Sequence, residues 1–435
     1  MLSQADNAIL TRVGPGEPMG ELLRRYWIPV LLSEELPTSN GDPLRVKLLG
    51  QTFVAWRDEQ GRVGFFDEHC MHRGASLVLG RCEGDGLRCL YHGWKFSVTG
   101  EVLEMPNTPH LAGKARLRAP NYPVYEAGEL IWVYLGPKEK QPPHPNYPFM
   151  SGPPEHRVLM RIILDCNWLQ SVEGHLDSAH VGILHDDWNL FGRQVDSSLS
   201  QFVRSSTDIS TEDDAPRIEV QETAHGFYSG AIRNASFRGN DASYARIHAF
   251  MVPWLSLVPP GMYAFEVPLN DHQVSYLLVT WDPDRRIDRE EYRRRRCSSG
   301  AFVEEVPDNL VMRFTGTAEN GWHQDRIRMR NGESFSGMSE FVSEDFAVTT
   351  SMGPILDRSR EHLVPSDAAV VSMRRQLLRA AKNLQNGIEP PMMSTEESAQ
   401  IRVSDGIIEP GQRWQDLLNA CQANPLQNPT NPAGA

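Results

Sequence analysis

Two short stretches of the sequence pair a cysteine with a histidine: Cys70-Met71-His72 and, after sixteen residues, Cys89-Leu90-Tyr91-His92. Each offers one thiolate and one imidazole. Together they match a [2Fe–2S] cluster in which one iron takes two cysteines and the other two histidines. Neutral imidazoles in place of thiolates leave such a cluster less negative and raise its potential. Zinc also accepts two cysteines and two histidines, but zinc fingers keep the cysteines on one loop and the histidines on the other. Here each loop is mixed, and the glycines and Trp94 that follow suit tight loops on a β scaffold. The expected cluster ligands are therefore Cys70, His72, Cys89 and His92. His69 and Cys82 read as structural. Pro106, in Glu104-Met-Pro-Asn, is placed for a third loop shielding the cluster.

A second constellation lies in Asn167-Trp-Leu-Gln-Ser-Val-Glu173-Gly-His175-Leu-Asp177-Ser-Ala-His180-Val-Gly182-Ile-Leu-His185. Asp177 and His180 are three apart and would share one helix face. His180 and His185 are five apart, which an ideal helix of about 3.6 residues per turn splays by about 140°. For both to reach one metal the helix must loosen, by a π-bulge or a break, and Gly182 would ease that distortion. Two histidines and one carboxylate form the facial triad of non-haem Fe(II) oxygenases. The carboxylate must come from elsewhere in the chain. Asp345 is the first candidate and Glu344 its neighbour and competitor; spacing does not separate them. A helix bearing histidines and acids is by itself usually a solvated face. A cluster that only moves electrons, joined to an iron-like triad, makes the metal reading coherent.

The elements that must position these groups fall into two domains of an α+β chain. With 435 residues, at roughly 150 per domain, two or three domains are expected. Residues 1–40 read as an N-terminal segment packing on the catalytic domain, with a short helix over Met19–Tyr26. Alternating runs such as Thr52-Phe-Val-Ala-Trp mark residues 41–140 as a β domain. The proline-rich run from Gln141 excludes helix and sheet, and places the boundary there. Residues 141–421 carry a helical pattern over Cys166–Asp186, then strands at Arg217–Val220, Phe227–Arg233, Tyr244–Pro253, Tyr263–Val267 and Val274–Trp281, forming a mainly antiparallel sheet. A helix is expected over Asp367–Asn386, and a frayed tail over 422–435.

Composition narrows the function classes. A net charge of −13 argues against nucleic-acid binding. No apolar run approaches a membrane span of about 20 residues, and the N-terminus lacks an export signal, so a cytoplasmic protein is expected. Six scattered cysteines in such a chain favour metal ligation over disulfides. The arginine-dense stretch Arg285–Arg296 reads as a solvated face rather than a docking patch, because acids interrupt it.

The chain resembles, over nearly its whole length, the Rieske non-haem iron aromatic-ring-hydroxylating oxygenases, specifically their catalytic (α) component. Cys70-x-His72 with Cys89-x-x-His92 matches the cluster motif, and Glu173-x-x-x-Asp177-x-x-His180-x-x-x-x-His185 the iron motif. Gly174 stands where many members carry asparagine. Leu10–Gly16, Arg24–Pro29 and Gly353–Leu363 are similar to the phthalate dioxygenase and phenoxybenzoate dioxygenase group. The resemblance implies an all-β Rieske [2Fe–2S] domain, a helix-grip catalytic domain, and head-to-tail homotrimers, single or stacked. It implies Asp345, rather than Glu344, as third ligand of a mononuclear Fe(II). It also implies that Asp177 bridges His180 to His92 of a neighbouring subunit, and that a separate NADH-dependent reductase with FMN and a plant-type ferredoxin domain supplies electrons.

The expected reaction is oxidation of an aromatic substrate by O₂ to a cis-dihydrodiol. O-Demethylation or monooxygenation is the alternative within the class. A Rieske-type electron carrier without catalytic iron, or a zinc-stapled binding protein, are alternatives outside it. Tyr244, Arg246, His248 and Phe250 alternate onto one strand face. Arg246 there suits an aromatic carboxylate, with Arg233 as the fallback anchor. The competing expectation has Arg246 facing solvent or pairing with Asp241.

Overall fold

The computed structural model describes residues 2–111, 117–187, 213–235, 242–298, 300–308 and 310–423. Asp241 and nearly all of the expected tail lie outside the described residues; Gln422 and Ala423 end a helix, Trp414–Ala423.

The smaller domain follows from alternation. Strand β1 (Trp27–Leu32) comes first, then β2 (Leu44–Leu48), β3 (Gln51–Arg57) and β4 (Val63–Asp67) form an antiparallel sheet. Strands β5 (Arg81–Glu83), β6 (Gly86–Arg88), β7 (Lys95–Ser97) and β8 (Val102–Glu104) form a second. Successive side chains of a strand point to opposite faces, so β3 serves two cores. Val54 and Trp56 join Leu87, Phe96, Cys70 and Cys89 in a core around the cluster loops. Phe53 and Ala55 face the larger core of the rest of the chain. Strands β9 (Val124–Ala127) and β10 (Leu130–Tyr134) complete a third sheet in which β1 pairs with β10. The proline-rich residues 141–147 carry no regular secondary structure.

The larger domain is built on a sheet of ten strands among the described residues. These are β11 (Arg157–Leu164), β12 (Arg217–Thr223), β13 (Gly226–Asn234), β14 (Ser243–Met251), β15 (Leu255–Val258), β16 (Met262–Asn270), β17 (Gln273–Trp281), β18 (Phe302–Val306), β19 (Val311–Phe314) and β20 (Asp405–Ile408). The order is β12-β13-β14-β15-β16-β17-β11-β19-β18, with β20 on β14. It is antiparallel except where β11 meets β19. Helix Trp168–Leu176 lies over this sheet, starting where the Asn167 side chain accepts from the Leu169 amide. Helices Phe341–Ser351 and Ala368–Gln385 pack beside it.

The five strands read from alternation are present. The sequence missed β11, whose run Val-Leu-Met-Arg-Ile-Ile-Leu is buried on both faces in mid-sheet and has no alternation to see. The helix expected over Met19–Tyr26 is shorter, Pro18–Leu23. Two hydrogen bonds join the N-terminal helix to the helix over the sheet: Trp168 Nε1 donates to Leu10 O at 3.2 Å and Asn167 Nδ2 to Thr11 O at 2.8 Å. No helix among the described residues is long and apolar enough to cross a membrane.

Candidate active site

The cluster motif forms two matched loops. The Gly74 amide closes one onto Cys70 O at 2.8 Å, and the Gly93 amide closes the other onto Cys89 O at 3.0 Å. Both glycines have φ near +74°, a conformation closed to most side chains. Cys70 and Cys89 are buried, whereas His72 and His92 sit half-buried at the edge with ring centroids 4.6 Å apart. Burial and the neighbouring Cys89 thiol push Cys70 up to about 11. Trp94 stacks flat on His72 at 4.6 Å and donates to Asn107 Oδ1 at 3.0 Å. Pro106 closes the third side: a Cβ on Gly93 would stand 2.9 Å from its ring. Among the described residues, the four donors do not converge within 4.8 Å as a tetrahedral zinc would require. Buried cysteines with histidines outermost fit a [2Fe–2S] group.

The second constellation converges by a break in the helix. Asp177 leaves helical geometry at φ −77°, ψ 116° and ends Trp168–Leu176. Its Oδ1 accepts from the Ala179 amide at 2.8 Å, offering the backbone an alternative to the next helical bond. A short helix, Val181–Leu184, then restarts with His180 before it and His185 after it. The break at Asp177–Ala179 precedes both histidines; within the five-residue spacing itself the departure comes at its end, where His185 leaves helical geometry at φ −97°, ψ 24°. Gly182 lies inside the short helix and plays no part in it. Asp177 and His180 share no helix face, although His180 Nδ1 lies 3.3 Å from Asp177 Oδ2.

Asp345 completes the cluster of donors. Its Oδ1 lies 3.4 Å from His180 Nε2 and 3.1 Å from His185 Nε2, and the three donors fall within 4.8 Å of one another. Glu344 points elsewhere: its Oε2 meets His185 Nδ1 at 2.6 Å, and its Oε1 accepts from Ser336 Oγ. A carboxylate on the far nitrogen of an imidazole fixes the tautomer that leaves Nε2 for a metal. Two imidazoles and one carboxylate fit mononuclear iron. The charges agree. Burial alone would lower His180, but Asp177 and Asp345 outweigh it and raise it to about 9. Burial likewise opposes the charged forms of His185 and Asp345, yet their contact holds His185 above and Asp345 well below their usual ranges.

Two buried guanidinium systems hold this geometry. Arg233 donates to Ser178 O at 2.5 Å, clamping the turn between the two helices. It is therefore committed to the backbone and is not the fallback carboxylate anchor. Glu173 takes two bonds of 2.8 Å from Arg358 and one of 2.6 Å from Arg374. Arg358 also reaches Asn7 Oδ1 at 3.2 Å, tying the first helix, Gln4–Thr11, to the same point.

A cavity opens beside the donors, lined by Gly174, His175, Arg246, His248, Tyr276, Arg296, Phe341 and Phe346 among others. Arg246 is only 8% exposed and its Nε has no hydrogen-bond partner; it faces the cavity rather than solvent. Burial, with Arg246 nearby, holds His248 far below its usual range, so the imidazole is neutral. His175 Nδ1 lies 2.6 Å from the buried Glu266 Oε1. Gly174 leaves its side of the helix open: a Cβ there would meet nothing nearer than Thr349 Oγ1 at 3.7 Å. Reading the sequence missed the supports, Glu344 on His185 and Arg233 on Ser178, and also Arg296. The arginine run is mostly consumed internally: Arg293 pairs with Glu34, Arg289 with Glu129, and Arg294 and Arg295 with Glu291. Nothing in that run's pattern distinguished the one that lines the cavity.

Comparison with known proteins agrees with these two centres. Residues 26–123 match the Rieske [2Fe-2S] domain, and residues 133–429 match the family described as LigXa C-terminal domain like. The oxygenase subunit of phthalate 4,5-dioxygenase from Pseudomonas putida is 35% identical over 96% of this chain and 94% of its own. The oxygenase subunit of 5,5'-dehydrodivanillate O-demethylase from Sphingobium sp. is 32% identical over 90% and 83%. Among solved structures, a carbazole-bound oxygenase in the ferredoxin complex of carbazole 1,9a-dioxygenase superposes with a TM-score of 0.57 at 20% identity, covering 89% of this chain and 98% of that one. The chain belongs to the Rieske non-haem iron oxygenases, as an oxygenase (α) component of the phthalate dioxygenase group.

Proposed function

We propose that this chain is the terminal oxygenase that converts an aromatic carboxylic acid to a cis-dihydrodiol with O₂ and NADH-derived electrons. Cys70, His72, Cys89 and His92 hold the cluster, and His180, His185 and Asp345 the mononuclear iron. When bound, these groups supply electron transfer and dioxygen chemistry. The chain itself binds, orients and shields. The observation that carries the reading is Arg246, a buried cation with an unpaired Nε in the cavity beside the three donors. A guanidinium there takes a carboxylate bidentately, and Phe341, Phe346, Val258 and Met262 give the ring dry walls.

Asp177 has 32% of its side chain exposed while its Oδ2 faces His180 Nδ1. In a head-to-tail trimer it passes electrons from the neighbouring subunit's cluster. Leu79, Leu90 and Tyr91 are exposed around the histidine edge of the cluster domain, an apolar rim fit for such a contact. A separate reductase in the cytoplasm supplies the electrons. The ferredoxin in the complex of the carbazole enzyme is a precedent for an external donor. O-Demethylation is the second reading, favoured by the similarity to the dehydrodivanillate O-demethylase subunit.

Product analysis with a panel of aromatic acids, a matching reductase, NADH and O₂ tests the proposal. A dihydrodiol supports it, formaldehyde from a methoxy acid supports demethylation, and no oxygenated product overturns both. Iron content adds a check: about three atoms per chain is expected of an oxygenase and about two of an electron carrier.

A further inference from the structure

We infer that Glu266, His175 and Tyr276 form a proton store that delivers one proton into the cavity during oxygenation. The inference rests on the oxygenase reading. Oxygenation with O₂ and two supplied electrons takes up two protons, whether a ring is dihydroxylated or a methoxy group is oxidised. The three residues come from three elements. Glu266 on β16 and Tyr276 on β17 are cross-strand partners, so both side chains stand on the sheet face beneath helix Trp168–Leu176. His175 comes from that helix: its Nδ1 lies 2.6 Å from Glu266 Oε1 and its Nε2 3.1 Å from the Tyr276 hydroxyl. The imidazole stacks flat on Tyr276, with ring centroids 4.9 Å apart. His175 and Tyr276 line the cavity, whereas Glu266 is wholly enclosed behind them.

The surroundings of Glu266 suit an acid better than a carboxylate. Neither of its oxygens receives a well-aligned hydrogen bond from any described residue. A buried carboxylate needs donors, whereas a carboxylic acid needs one acceptor, which Nδ1 can supply. Burial accordingly raises Glu266 above its usual range, and Tyr276 as well. Among the described residues, His175 alone lies within ion-pair distance of Glu266. The other titratable groups around the trio are His248 on β14, Asp345 on helix Phe341–Ser351, and Tyr292 and Arg296 on helix Arg289–Arg296. Asp177, two residues beyond His175, faces His180 instead. In the loaded state the Glu266 O–H donates to Nδ1, Nε2–H donates to the Tyr276 oxygen, and the phenol O–H points into the cavity. On delivery the Tyr276 O–H bond breaks, and its proton passes to the oxygen that the supplied electrons reduce. Nε2 then returns a proton to the phenolate while Nδ1 takes one from Glu266. One proton has left, the negative charge rests on Glu266, and water entering after product release restores the proton.

Glu266→Gln keeps the size of the side chain but has no proton to give, and Tyr276→Phe removes the outlet. Infrared spectra of the resting enzyme should show a carboxylic acid C=O band that shifts in D₂O and is missing in Glu266→Gln. Single turnover of the reduced oxygenase with O₂ supplies the kinetic test, using the acid from the product panel that gives most product. The wild-type rate should stay flat as pH rises through neutrality. In either variant it should be at least about tenfold lower, and should fall with rising pH because bulk water then supplies the proton. A merely structural role would not introduce that pH slope. Iron content and cluster absorbance report folding; if Glu266→Gln loses iron, Tyr276→Phe carries the kinetic comparison. The inference is overturned if the resting enzyme lacks the acid band, or if the variants keep the wild-type rate and pH dependence. If wild type itself forms no oxygenated product, the oxygenase reading falls and the proton store falls with it.

Discussion

Asp345 and Glu344 are adjacent in the chain yet address opposite nitrogens of one imidazole. Neighbours on a helix diverge by about 100°, so only one of the pair can face the donors. Their difference is measurable. Asp345→Ala should lose the mononuclear iron and keep the cluster. Glu344→Gln should keep both, with iron affinity lowered about 10–100-fold, as metal titration will show. The pH dependence follows from His180. Its pKa in the metal-free protein is raised to about 9, so at neutral pH it holds a proton that iron must displace. Iron affinity should therefore rise with pH up to about 9, and calorimetry in buffers of different ionisation enthalpy should detect the released proton. The same shift makes the opposite prediction for metal-free stability. A raised folded-state pKa stabilises fully below the unfolded value of about 6.5 and is lost as pH climbs through 9, so the melting temperature should fall across that window. The cysteine–histidine pairs and the two histidines were legible as candidate donors because metal chemistry restricts residue type and spacing together, whereas Asp345 was preferred to Glu344 on the resemblance. The supporting partners were not legible, because Glu344 and Ser336 announce nothing until the fold brings them to His185.

The break after Leu176 shows what spacing can and cannot reveal. The five-residue step from His180 to His185 already argued that an ideal helix would splay them apart. Sequence pattern pointed to Gly182, but that residue is helical and the chain departs from helix at His185 instead, while a separate break, set by Asp177 and the Ala179 amide, precedes both histidines. Period-two alternation likewise put Arg246 on the right strand face, yet said nothing of the turn at Ser178 that claims Arg233. The ligand-bearing helix is fixed by Glu173 between Arg358 and Arg374. Burying a carboxylate between two cations gives little net stability, but removing it leaves the fully buried Arg358 without a carboxylate, whereas Arg374 keeps Glu361. Glu173→Gln should therefore cost about 3–5 kcal/mol in denaturant unfolding, with mononuclear iron lost before the cluster signal fades. A variant as stable as wild type would mean that the network is not what holds the helix.

For the molecule as a whole, one sheet, β2–β4, divides the cluster core from the iron core, and β3 feeds alternate side chains to each. That division was visible in Thr52-Phe-Val-Ala-Trp as alternation, though not that both faces would be buried. If the working electron path crosses between subunits through Asp177, Asp177→Asn should keep both metal centres while the reduced cluster is no longer oxidised by substrate and O₂. Stopped-flow absorbance at the wild-type rate, or an active monomer, would contradict that path. The tie from Asn7 to Arg358 has another consequence, in time rather than space. The catalytic domain is discontinuous in the chain: its first helix emerges before the cluster domain, and its last partners emerge hundreds of residues later. The strands around the cluster are all synthesised once Tyr134 has left the ribosome, whereas the iron site must wait for Asp345 and its supports as far as Arg374. During synthesis the electron-accepting half is thus ready for its metal while the oxygen-reactive half is still unfinished. A nascent chain built in this order has no mononuclear iron exposed to O₂ before the cavity that shields it is closed.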